Sequence, residues 1–308
     1  MKMKGLVLKS TGSIFLVRTV NGNTIQCNIR GKLRLAGSKS TNPVVVGDWV
    51  EVETDGSKGN ITLIKDRKNY IVRRSVNLSR QSHVIAANLD QTCLIVTLIH
   101  PKISTEFIDR YLCTAEAYLI PAVVVFNKTD IYNAELQTLL EDLVKTYQKI
   151  GYKCLPVSAK NKQGIEDLRK LLHKKVSLIS GNSGVGKSTL INCLEPDFNL
   201  RVAEISGYHL KGKHTTTFSE MFELHDGGFI IDTPGIKGFG LINIQNKELF
   251  HYFPEMFKLT QKCQYYNCTH THEPGCAVKS AVDSGEVAES RYKSYINILS
   301  DENEKYRT

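Results

Sequence analysis

Short runs in which Val and Ile alternate with polar residues dominate the first 70 residues. The clearest runs are Thr24–Ile29 and residues 44–52, and their two-residue period is that of half-buried strands. No helical period of useful length occurs, so the pattern predicts a small closed β-barrel, either an oligonucleotide-binding (OB) fold or an SH3-like relative. We interpret the basic stretch that follows, residues 65–75, as a linker. Glycines separate the runs at intervals typical of turns, at Gly22, Gly31, Gly37, Gly47, Gly56 and Gly59.

From about residue 85 the pattern changes to continuous apolar runs that alternate with helical periods. Strands that are apolar throughout and alternate with helices indicate a doubly wound parallel α/β sheet, covered on both faces. After Gly240 the chain becomes polar and aromatic, and it ends in a predicted helix over residues 280–299. The predicted strands of the sheet are residues 93–98, Ala122–Phe126, 154–157 and Val176–Ser180, and the predicted helices are residues 105–118, Ala134–Ile150 and 164–173.

These patterns divide the 308 residues into three predicted domains. Residues 1–72 form the barrel, residues 73–240 the α/β domain, and residues 241–308 a small helical C-terminal module. The longest nearly apolar stretch, residues 118–126, is far shorter than the ~20 residues of a membrane helix. Polar residues also interrupt the apolar segment that follows the Met-Lys-Met-Lys start, so we expect no secretion signal, no membrane contact and a cytoplasmic location.

Basic residues are concentrated near the N-terminus. Residues 1–80 contain 15 Lys and Arg against 5 Asp and Glu, whereas the rest of the chain contains 25 against 26. This asymmetry is typical of a first domain that contacts nucleic acid or a membrane surface, and a solvated basic surface is an equal alternative.

Residues 181–189 carry the strongest chemical pattern in the chain. They match G-x-x-x-x-G-K-[ST], with a predicted strand before them and a predicted helix, Lys187–Leu194, after them. Glycines let consecutive backbone N–H groups converge on a phosphate, and the helix N-terminus adds a favourable dipole. Lys187 would reach the β- and γ-phosphate oxygens, and the Ser188 hydroxyl would coordinate Mg²⁺. The predicted nucleotide-binding residues of this loop are Gly181, Asn182, Ser183, Gly184, Val185, Gly186, Lys187, Ser188 and Thr189.

Two further segments distinguish GTPases from other proteins with a phosphate loop. The apolar run Phe229–Asp232 ends in a carboxylate for the Mg²⁺ shell, and the Gly235 N–H follows where it can sense a γ-phosphate. Asp130 can accept two N–H bonds from guanine N1 and N2, which adenine does not offer. Asn127 would contact the base N7 and tether the phosphate loop. The predicted base-binding residues, each at a strand's carboxyl end, are Asn127, Lys128, Thr129, Asp130, Ser158, Ala159 and Lys160.

The order of these motifs is permuted. In ordinary GTPases the phosphate loop comes first, whereas here residues 127–130 and 158–160 precede it. The same site can be built from a circularly permuted chain if the old termini lie close together. The segment after Gly235 then leads directly into the C-terminal module, and we hypothesise that its rearrangement moves a whole domain.

Three cysteines and one histidine near the C-terminus have the donor set of a structural zinc site: Cys263, Cys268, His270 and Cys276. Their spacing is not that of the common C-x2-C finger, so unligated cysteines are the alternative. His272 is a rival for the histidine position, and we favour His270. With four protein ligands the ion has no open position, and its role would be to stiffen a module with little core of its own.

The motif order, residues 84–91, the Gly-Lys-His-Thr-Thr-Thr segment at 212–217 and the Cys/His cluster together resemble the RsgA (YjeQ) family of circularly permuted ribosome-assembly GTPases. The resemblance covers nearly the whole chain, and all four metal positions match the family pattern. It implies an OB barrel, a permuted GTPase domain and a zinc domain. It also implies hydrolysis of GTP to GDP and phosphate during late maturation of the small (30S) ribosomal subunit, stimulated by that subunit and its rRNA.

Residues 212–217 are the expected first switch. One of its three threonines, for which we take Thr216, would contact Mg²⁺ and the γ-phosphate. Ile236 stands where many GTPases place a water-orienting glutamine, so intrinsic hydrolysis should be slow. We expect His214 or the partner to position the water, and a solvent-exposed loop histidine without a catalytic role is the alternative.

The barrel offers basic residues for RNA but few aromatic ones. Its sparse aromatic residues are Phe15, Trp49 and Tyr70, which favours recognition of the backbone and shape of folded rRNA over base stacking. For Trp49 we favour packing in the core over a base platform. The basic candidates are Arg30, Lys32, Arg34, Lys65, Arg67, Lys68, Arg73 and Arg74.

Two other functions are compatible with parts of the pattern. One is a GTP-gated module that binds another RNA, such as transfer RNA, with incidental hydrolysis. The other is an ATP-using enzyme with a phosphate loop, against which Asp130 argues. We expect a monomer, because the switches already have two flanking domains on which to act.

Overall fold

The computed structural model describes residues 2–29, 43–54, 58–74, 82–198, 220–232 and 246–304. Its first five strands form a closed barrel, as the alternating pattern predicts. Strand β1 pairs with both β2 and β4, β3 runs parallel to β5, and β5 pairs with β4, so the sheet closes on itself in the order of an OB-fold. The strands are β1 (Lys2–Ser10), β2 (Phe15–Thr19), β3 (Thr24–Ile29), β4 (Trp49–Thr54) and β5 (Lys58–Ile64).

The strand predicted over residues 44–52 begins only at Trp49. Residues 44–46 are buried, but they precede a tight turn at Gly47, where φ is 88°. A Cβ atom at this position would collide with the Ala87 carbonyl oxygen, so the turn requires glycine. The apolar run therefore includes buried irregular backbone as well as a strand.

The linker predicted over residues 65–75 is wrong in its second half. Strand β6 (Tyr70–Arg74) pairs with β7 (Ser82–Ala87) in a two-stranded antiparallel sheet. Ile71 is fully buried and belongs to the same apolar cluster as Ala86. Its burial explains the strand, which the surrounding basic residues obscure in the sequence.

The central sheet confirms the predicted α/β architecture. Five strands run parallel in the order β10-β9-β8-β11-β13, and β12 pairs antiparallel with β13. Helices cover this sheet, and the side chains of β8 are buried along its whole length. The strands are β8 (Gln91–Val96), β9 (Ala122–Phe126), β10 (Lys153–Pro156), β11 (Val176–Ser180), β12 (Glu220–Glu223) and β13 (Phe229–Asp232), and the helices are α1 (Thr105–Ala117), α2 (Ala134–Ile150), α3 (Ile165–Leu172) and α4 (Lys187–Leu194).

Local signals begin and end these helices. The Ser104 hydroxyl accepts a hydrogen bond from the Phe107 N–H and caps α1, and the Asn133 side chain caps α2 through the Leu136 N–H. Helix α2 ends at Gly151, whose φ of 118° only glycine adopts without strain.

The barrel and the central sheet are joined by backbone pairing. Lys9 of β1 lies opposite Glu220 of β12, and their side chains form an ion pair of 2.8 Å. The eleven strands therefore form one continuous sheet. The predicted domain boundary near residue 72 stays a prediction.

The expectation that the C-terminal module has little core is wrong. Its apolar cluster includes Leu249, Phe253, Met256, Tyr295 and Ile298, and Cys113 of α1 belongs to the same cluster. A 3₁₀ helix at Asn246–Tyr252 precedes α5 (Pro254–Phe257), α6 (Ala277–Asp283) and α7 (Glu289–Glu304). No helix in the part of the chain that the structure describes is long and apolar enough to cross a membrane.

The single helix predicted over residues 280–299 is wrong, because α6 and α7 are separate. The chain turns between them at Gly285, where φ is 74°, and the Val287 N–H donates to the Ala281 carbonyl at 3.0 Å. Glycine favours a left-handed conformation that ends a helix, and here this local preference prevails over the apolar period that runs through it.

Candidate functional site

The phosphate loop connects β11 to α4 at the carboxyl edge of the parallel sheet. Gly181, Gly184 and Gly186 adopt φ values of 145°, 83° and 93°. A Cβ atom at Gly181 would collide with the Ile95 carbonyl oxygen of the neighbouring strand. Val185 is fully buried and anchors the loop from within. The loop thus has the backbone that phosphate binding requires, and only glycine fits its tightest positions.

Lys187 and Ser188 stand at the start of α4, with Thr189 behind them. The Lys187 ammonium donates to the carbonyl oxygens of Gly181 and Asn182, each at 2.8 Å, and so spans the loop. Ser188 is almost fully buried in the first turn. Both side chains lie where a phosphate group at the helix N-terminus would meet them.

Asn127 joins the phosphate loop to the predicted base-binding segments. Its Nδ2 atom donates to the Val185 carbonyl at 2.8 Å, and its Oδ1 atom accepts from the Ala159 N–H at 3.4 Å. The side chain is buried, and Gly186 packs so closely against it that a Cβ atom there would collide with Nδ2. The tether expected from the sequence is therefore present in the geometry.

Asp130 is held by a serine of the next loop. The Ser158 hydroxyl donates to Asp130 Oδ1 at 2.6 Å and accepts from the Asn161 N–H at 3.1 Å. Ser158 is fully buried, so it fixes the direction in which the carboxylate points. The Thr129 hydroxyl donates to the Val157 carbonyl at 3.1 Å, which adds a second link between the two loops.

The remaining base-site residues complete the same edge of the sheet. Lys128 takes a left-handed backbone with φ of 65°, and its ammonium donates to the His100 carbonyl at 2.5 Å. Lys160, which follows Ala159 in the chain, is exposed. The structure therefore brings the 127–130 and 158–160 segments together beside the phosphate loop.

Tyr132 is a residue that the sequence reasoning missed. Its hydroxyl donates to the Asn127 carbonyl at 2.7 Å and accepts from the Leu98 N–H at 3.0 Å, and the side chain is buried. It thus fixes the loop that carries Asn127 and Asp130. The only signal in the sequence is an aromatic residue two positions after Asp130, which could equally be a core residue.

Part of the predicted site lies outside the described residues. Gly235, His214 and Thr216 all belong to this group, as does the whole 212–217 segment. Asp232 is the last residue of β13, in register with Ile179 of β11 two positions before the phosphate loop. The backbone of Asp232 therefore ends at the same edge of the sheet as the loop.

Cys263, Cys268, His270 and Cys276 form a compact cluster whose possible ligand atoms all lie within 4.8 Å of one another. His270 Nδ1 lies 3.7 Å from the Cys263 sulfur and 3.5 Å from the Cys276 sulfur. Three sulfurs and one imidazole nitrogen at these separations fit a tetrahedral ion, and these side chains could hold a metal.

His270, rather than His272, belongs to this cluster. His270 is fully buried, and the Tyr292 hydroxyl donates to its carbonyl at 2.7 Å. His272 is exposed, and its Nδ1 atom lies 2.9 Å from the Thr271 hydroxyl oxygen. The preference for His270 agrees with this geometry.

Glu273 organises the loop between the ligands. Its carboxylate accepts from the N–H groups of Thr269, Thr271 and His272 and from the Thr269 hydroxyl. Burial opposes ionisation of Glu273, but these hydrogen bonds outweigh it and lower its pKa to about 2. An ionised carboxylate therefore holds the loop in the shape that turns His270 inward.

The basic residues of the barrel are less available for RNA than their sequence suggests. Arg67 is nearly buried and donates two hydrogen bonds of 2.7 Å to the fully buried Asp48 carboxylate. Lys65 pairs with Glu51, and Lys68 pairs with Asp90. Of the remaining candidates, Arg30, Lys32 and Arg34 lie outside the described residues, as do the side chains of Arg73 and Arg74.

Trp49 does not pack in the core as we expected. Its side chain is 44% exposed on the outer face of the barrel, and Leu63 on the neighbouring strand is 43% exposed. Strand β4 turns Val50 and Val52 inward, so the alternation places Trp49 outside. Both apolar side chains are therefore exposed on the barrel.

A parallel sheet with a phosphate loop after β11 and an Asn-Lys-Thr-Asp segment after β9 defines a nucleotide-binding protein of the P-loop class with permuted motif order. The family model described as RsgA GTPase matches residues 64–242, and the model described as RsgA N-terminal domain matches residues 4–61. The chain belongs to the RsgA GTPase family, which confirms the resemblance seen in the sequence.

Curated proteins and solved structures that are similar to this chain match it over nearly its whole length. The chain is 56% identical to "Small ribosomal subunit biogenesis GTPase RsgA" of Phocaeicola vulgatus and 54% identical to "Small ribosomal subunit biogenesis GTPase RsgA 2" of Bacteroides thetaiotaomicron, covering 99% of each chain in both cases. It is similar to the crystal structure of YjeQ from Thermotoga maritima, with a TM-score of 0.81, 34% identity and 98% of both chains covered. It is also similar to YloQ, described as a circularly permuted GTPase, with a TM-score of 0.78, 27% identity, and 100% of this chain and 98% of that chain covered.

Proposed function

We propose that this chain binds the small ribosomal subunit through its rRNA and hydrolyses GTP on it during late subunit maturation. The observation that carries the proposal is the full-length match to relatives named for small ribosomal subunit biogenesis. The assembled nucleotide site of the chain supports the same function. The protein would act in the cytoplasm, where its partner is, as a monomer and without membrane contact.

Selection of guanine would rest on Asp130. The carboxylate accepts the N–H groups of guanine N1 and N2, while the hydrogen bond from Ser158 keeps it oriented. Asn127 would contact N7, Lys128 would lie over the ring, and the Ala159 N–H would donate to O6. Because adenine presents no N–H pair at this edge, ATP would be rejected.

Binding of the phosphates would rest on the loop and the first turn of α4. Lys187 would exchange its two carbonyl partners for β- and γ-phosphate oxygens, and the Ser188 hydroxyl would hold Mg²⁺ with support from Asp232. When bound, Mg²⁺ neutralises charge on the β- and γ-phosphates. Hydrolysis would further use Thr216 and the Gly235 N–H at the γ-phosphate and His214 to orient water, with the subunit accelerating the step.

The cysteine–histidine cluster would hold one structural zinc ion. Three thiolates and an imidazole are a donor set typical of structural zinc, and four protein ligands leave no position for a substrate. The ion would therefore stabilise the C-terminal module rather than take part in hydrolysis.

The decisive experiment is GTP turnover by the purified chain alone, with stoichiometric small subunits, and with large subunits as control. Stimulation by the small subunit only is the expected result, and the Lys187→Ala variant should abolish it. Equal slow turnover in all three samples would contradict subunit-activated hydrolysis and favour a GTP-gated module for another RNA. A preference for ATP would contradict the assignment of the base site.

A further inference from the structure

A cleft of about 320 Å³ lies where the C-terminal module meets helix α2. The last turns of α2 form one wall, with Lys145, Lys149 and Ile150. The opposite wall is formed by Lys258, which follows α5, and by the turn at residues 285–288. None of the residues assigned to the nucleotide site or to the cysteine–histidine cluster lines this cleft.

Three lysines from both walls surround the cleft, and all three are exposed. Lys149 donates to the carbonyl oxygens of Gly285 and Glu286, at 3.4 and 2.9 Å, and so holds the two walls together. Within the described ranges, the ammonium groups of Lys145 and Lys258 have no ion-pair or hydrogen-bond partner. Two ammonium groups are therefore free to take an external ligand.

The acidic residues of the cleft do not cancel this charge. Both carboxylate oxygens of Glu255 accept hydrogen bonds from Arg291, at 2.7 and 3.2 Å, and Arg291 also pairs with the buried Asp109. These three groups together leave one negative charge, so the three lysines still exceed the acidic charge at the cleft. Glu286 is the one other acidic residue among those that line the cleft, and it faces three lysines. Low-dielectric walls concentrate such a field and attract anions.

We propose that this cleft binds backbone phosphates of RNA, so that one RNA segment contacts α2 and the C-terminal module together. The proposal rests on the function proposed above, which supplies an RNA partner. Lysine ammonium groups on flexible stems bind phosphates as point charges without demanding one fixed geometry. The open cleft has a free lysine on each wall, which suits a chain of successive phosphates better than a single small anion.

The test uses the full-length double variant Lys145→Gln/Lys258→Gln and retains Lys149, which holds the walls. We would measure binding to small ribosomal subunits, with a non-hydrolysable GTP analogue, over a range of salt concentrations. Loss of two phosphate contacts should lower affinity and flatten the slope of log affinity against log salt by roughly 1.4 to 1.8. Lys145→Arg/Lys258→Arg should restore both quantities, and GTP affinity should be unchanged in all variants.

A matched control removes the same charge elsewhere. Lys170→Gln/Lys174→Gln alters two exposed lysines at the end of α3 and just after it, outside the cleft, and should leave the salt slope unchanged. A cleft variant with the slope of this control would overturn the proposal. So would weakened binding to intact subunits but not to protein-free rRNA, because a protein would then occupy the cleft. The wild-type chain could fail to bind small subunits while the cleft variant still binds free RNA more weakly than the wild type does. That result would contradict the proposed function and support RNA binding by the cleft.

Discussion

Arg291 and Asp109 form an ion pair that is completely enclosed by the protein. Arg291 Nη1 donates to Asp109 Oδ1 at 2.8 Å, and the two side chains are 1% and 0% exposed. Arg291 belongs to α7 and Asp109 to α1, so the pair joins the C-terminal module to the α/β domain. Tyr147 of α2 donates to the same oxygen at 2.9 Å, and Glu255 accepts from the same guanidinium. One buried cation thus fixes the module against two helices.

Replacing Arg291 with methionine should destabilise the protein strongly. The variant would leave Asp109 as a buried charge without its partner, which costs ~3–5 kcal/mol, and would remove the guanidinium from its place 4.6 Å above the Phe253 ring. Urea unfolding measures the loss. Lys293→Met on the same helix is the control, because its pair with Glu289 is exposed and should be worth less than ~1 kcal/mol. Equal midpoints for the two variants would contradict a structural role for the buried pair.

The Arg67→Met variant should lose stability in a manner that depends on pH. Burial raises the pKa of Asp48, and Arg67 opposes this effect more strongly than the Val45 N–H does. Without Arg67 the pKa of Asp48 in the folded state should rise further above its unfolded value, so folding of the variant should favour the protonated acid. The stability deficit of the variant should therefore be larger at about pH 8 than at about pH 5. The free energies of unfolding of the wild type and the variant at both pH values measure this deficit. A deficit that is larger at about pH 5 than at about pH 8 would contradict the prediction.

The Asp130→Asn variant should exchange guanine for xanthine. The amide has one acceptor oxygen where the carboxylate has two, so its NH2 group would face one of the two guanine N–H donors. Losing one hydrogen bond to a charged acceptor costs ~1.5–3 kcal/mol, so GTP affinity should fall by about 10- to 150-fold. Xanthine carries an oxygen where guanine has its amino group, and the Asn amide can donate to it. Calorimetric titration with GTP and XTP tests the exchange. Asp142→Asn, an exposed acid of α2, should leave both affinities unchanged, and an equal loss of both nucleotides in Asp130→Asn would argue against base recognition at this position.

Removing one metal ligand should loosen the C-terminal module and spare the nucleotide site. Elemental analysis of the wild-type chain should find about one zinc per chain, and Cys276→Ser should lose most of it. Amide hydrogen exchange should then rise in α6 and around His270, while GTP affinity persists. Cys154→Ser, in β10, is the matched control and should keep its metal. A full zinc content in Cys276→Ser would rule out this cysteine as a ligand.

The sequence predicts the parallel sheet well because its strands are buried on both faces. The predicted bounds of Ala122–Phe126 and Val176–Ser180 agree with the structure, because all but the first residue of each strand is buried. It fails where a long-range contact or a local turn overrides the apolar pattern. The packing of Ile71 makes a strand out of a basic stretch, and Gly285 divides an otherwise helical pattern.

In the candidate site, too, some residues could be predicted from the sequence and others could not. Asn127 and Asp130 could be predicted because their spacing and position after a strand reflect the chemistry of a base. Arg67 counted as an RNA-binding charge, and its buried partner Asp48, 19 positions away, is visible only in three dimensions. The sequence pattern reveals residues that contact a ligand. Residues that position those contacts can be identified only from the three-dimensional structure.

Tyr132 is such a positioning residue, and its loss should weaken nucleotide binding without removing a contact to the nucleotide. Tyr132→Phe would leave the buried Leu98 N–H and Asn127 carbonyl without their shared partner, at a cost of ~1–3 kcal/mol. The loop that carries Asn127 and Asp130 would then be ordered only on binding, so GDP affinity should fall. Tyr265→Phe, an exposed tyrosine of the C-terminal module, is the control for removal of a hydroxyl. Fluorescent GDP titration and urea unfolding separate the two effects. A variant that is less stable but binds GDP as the wild type does would show that Tyr132 supports the core alone.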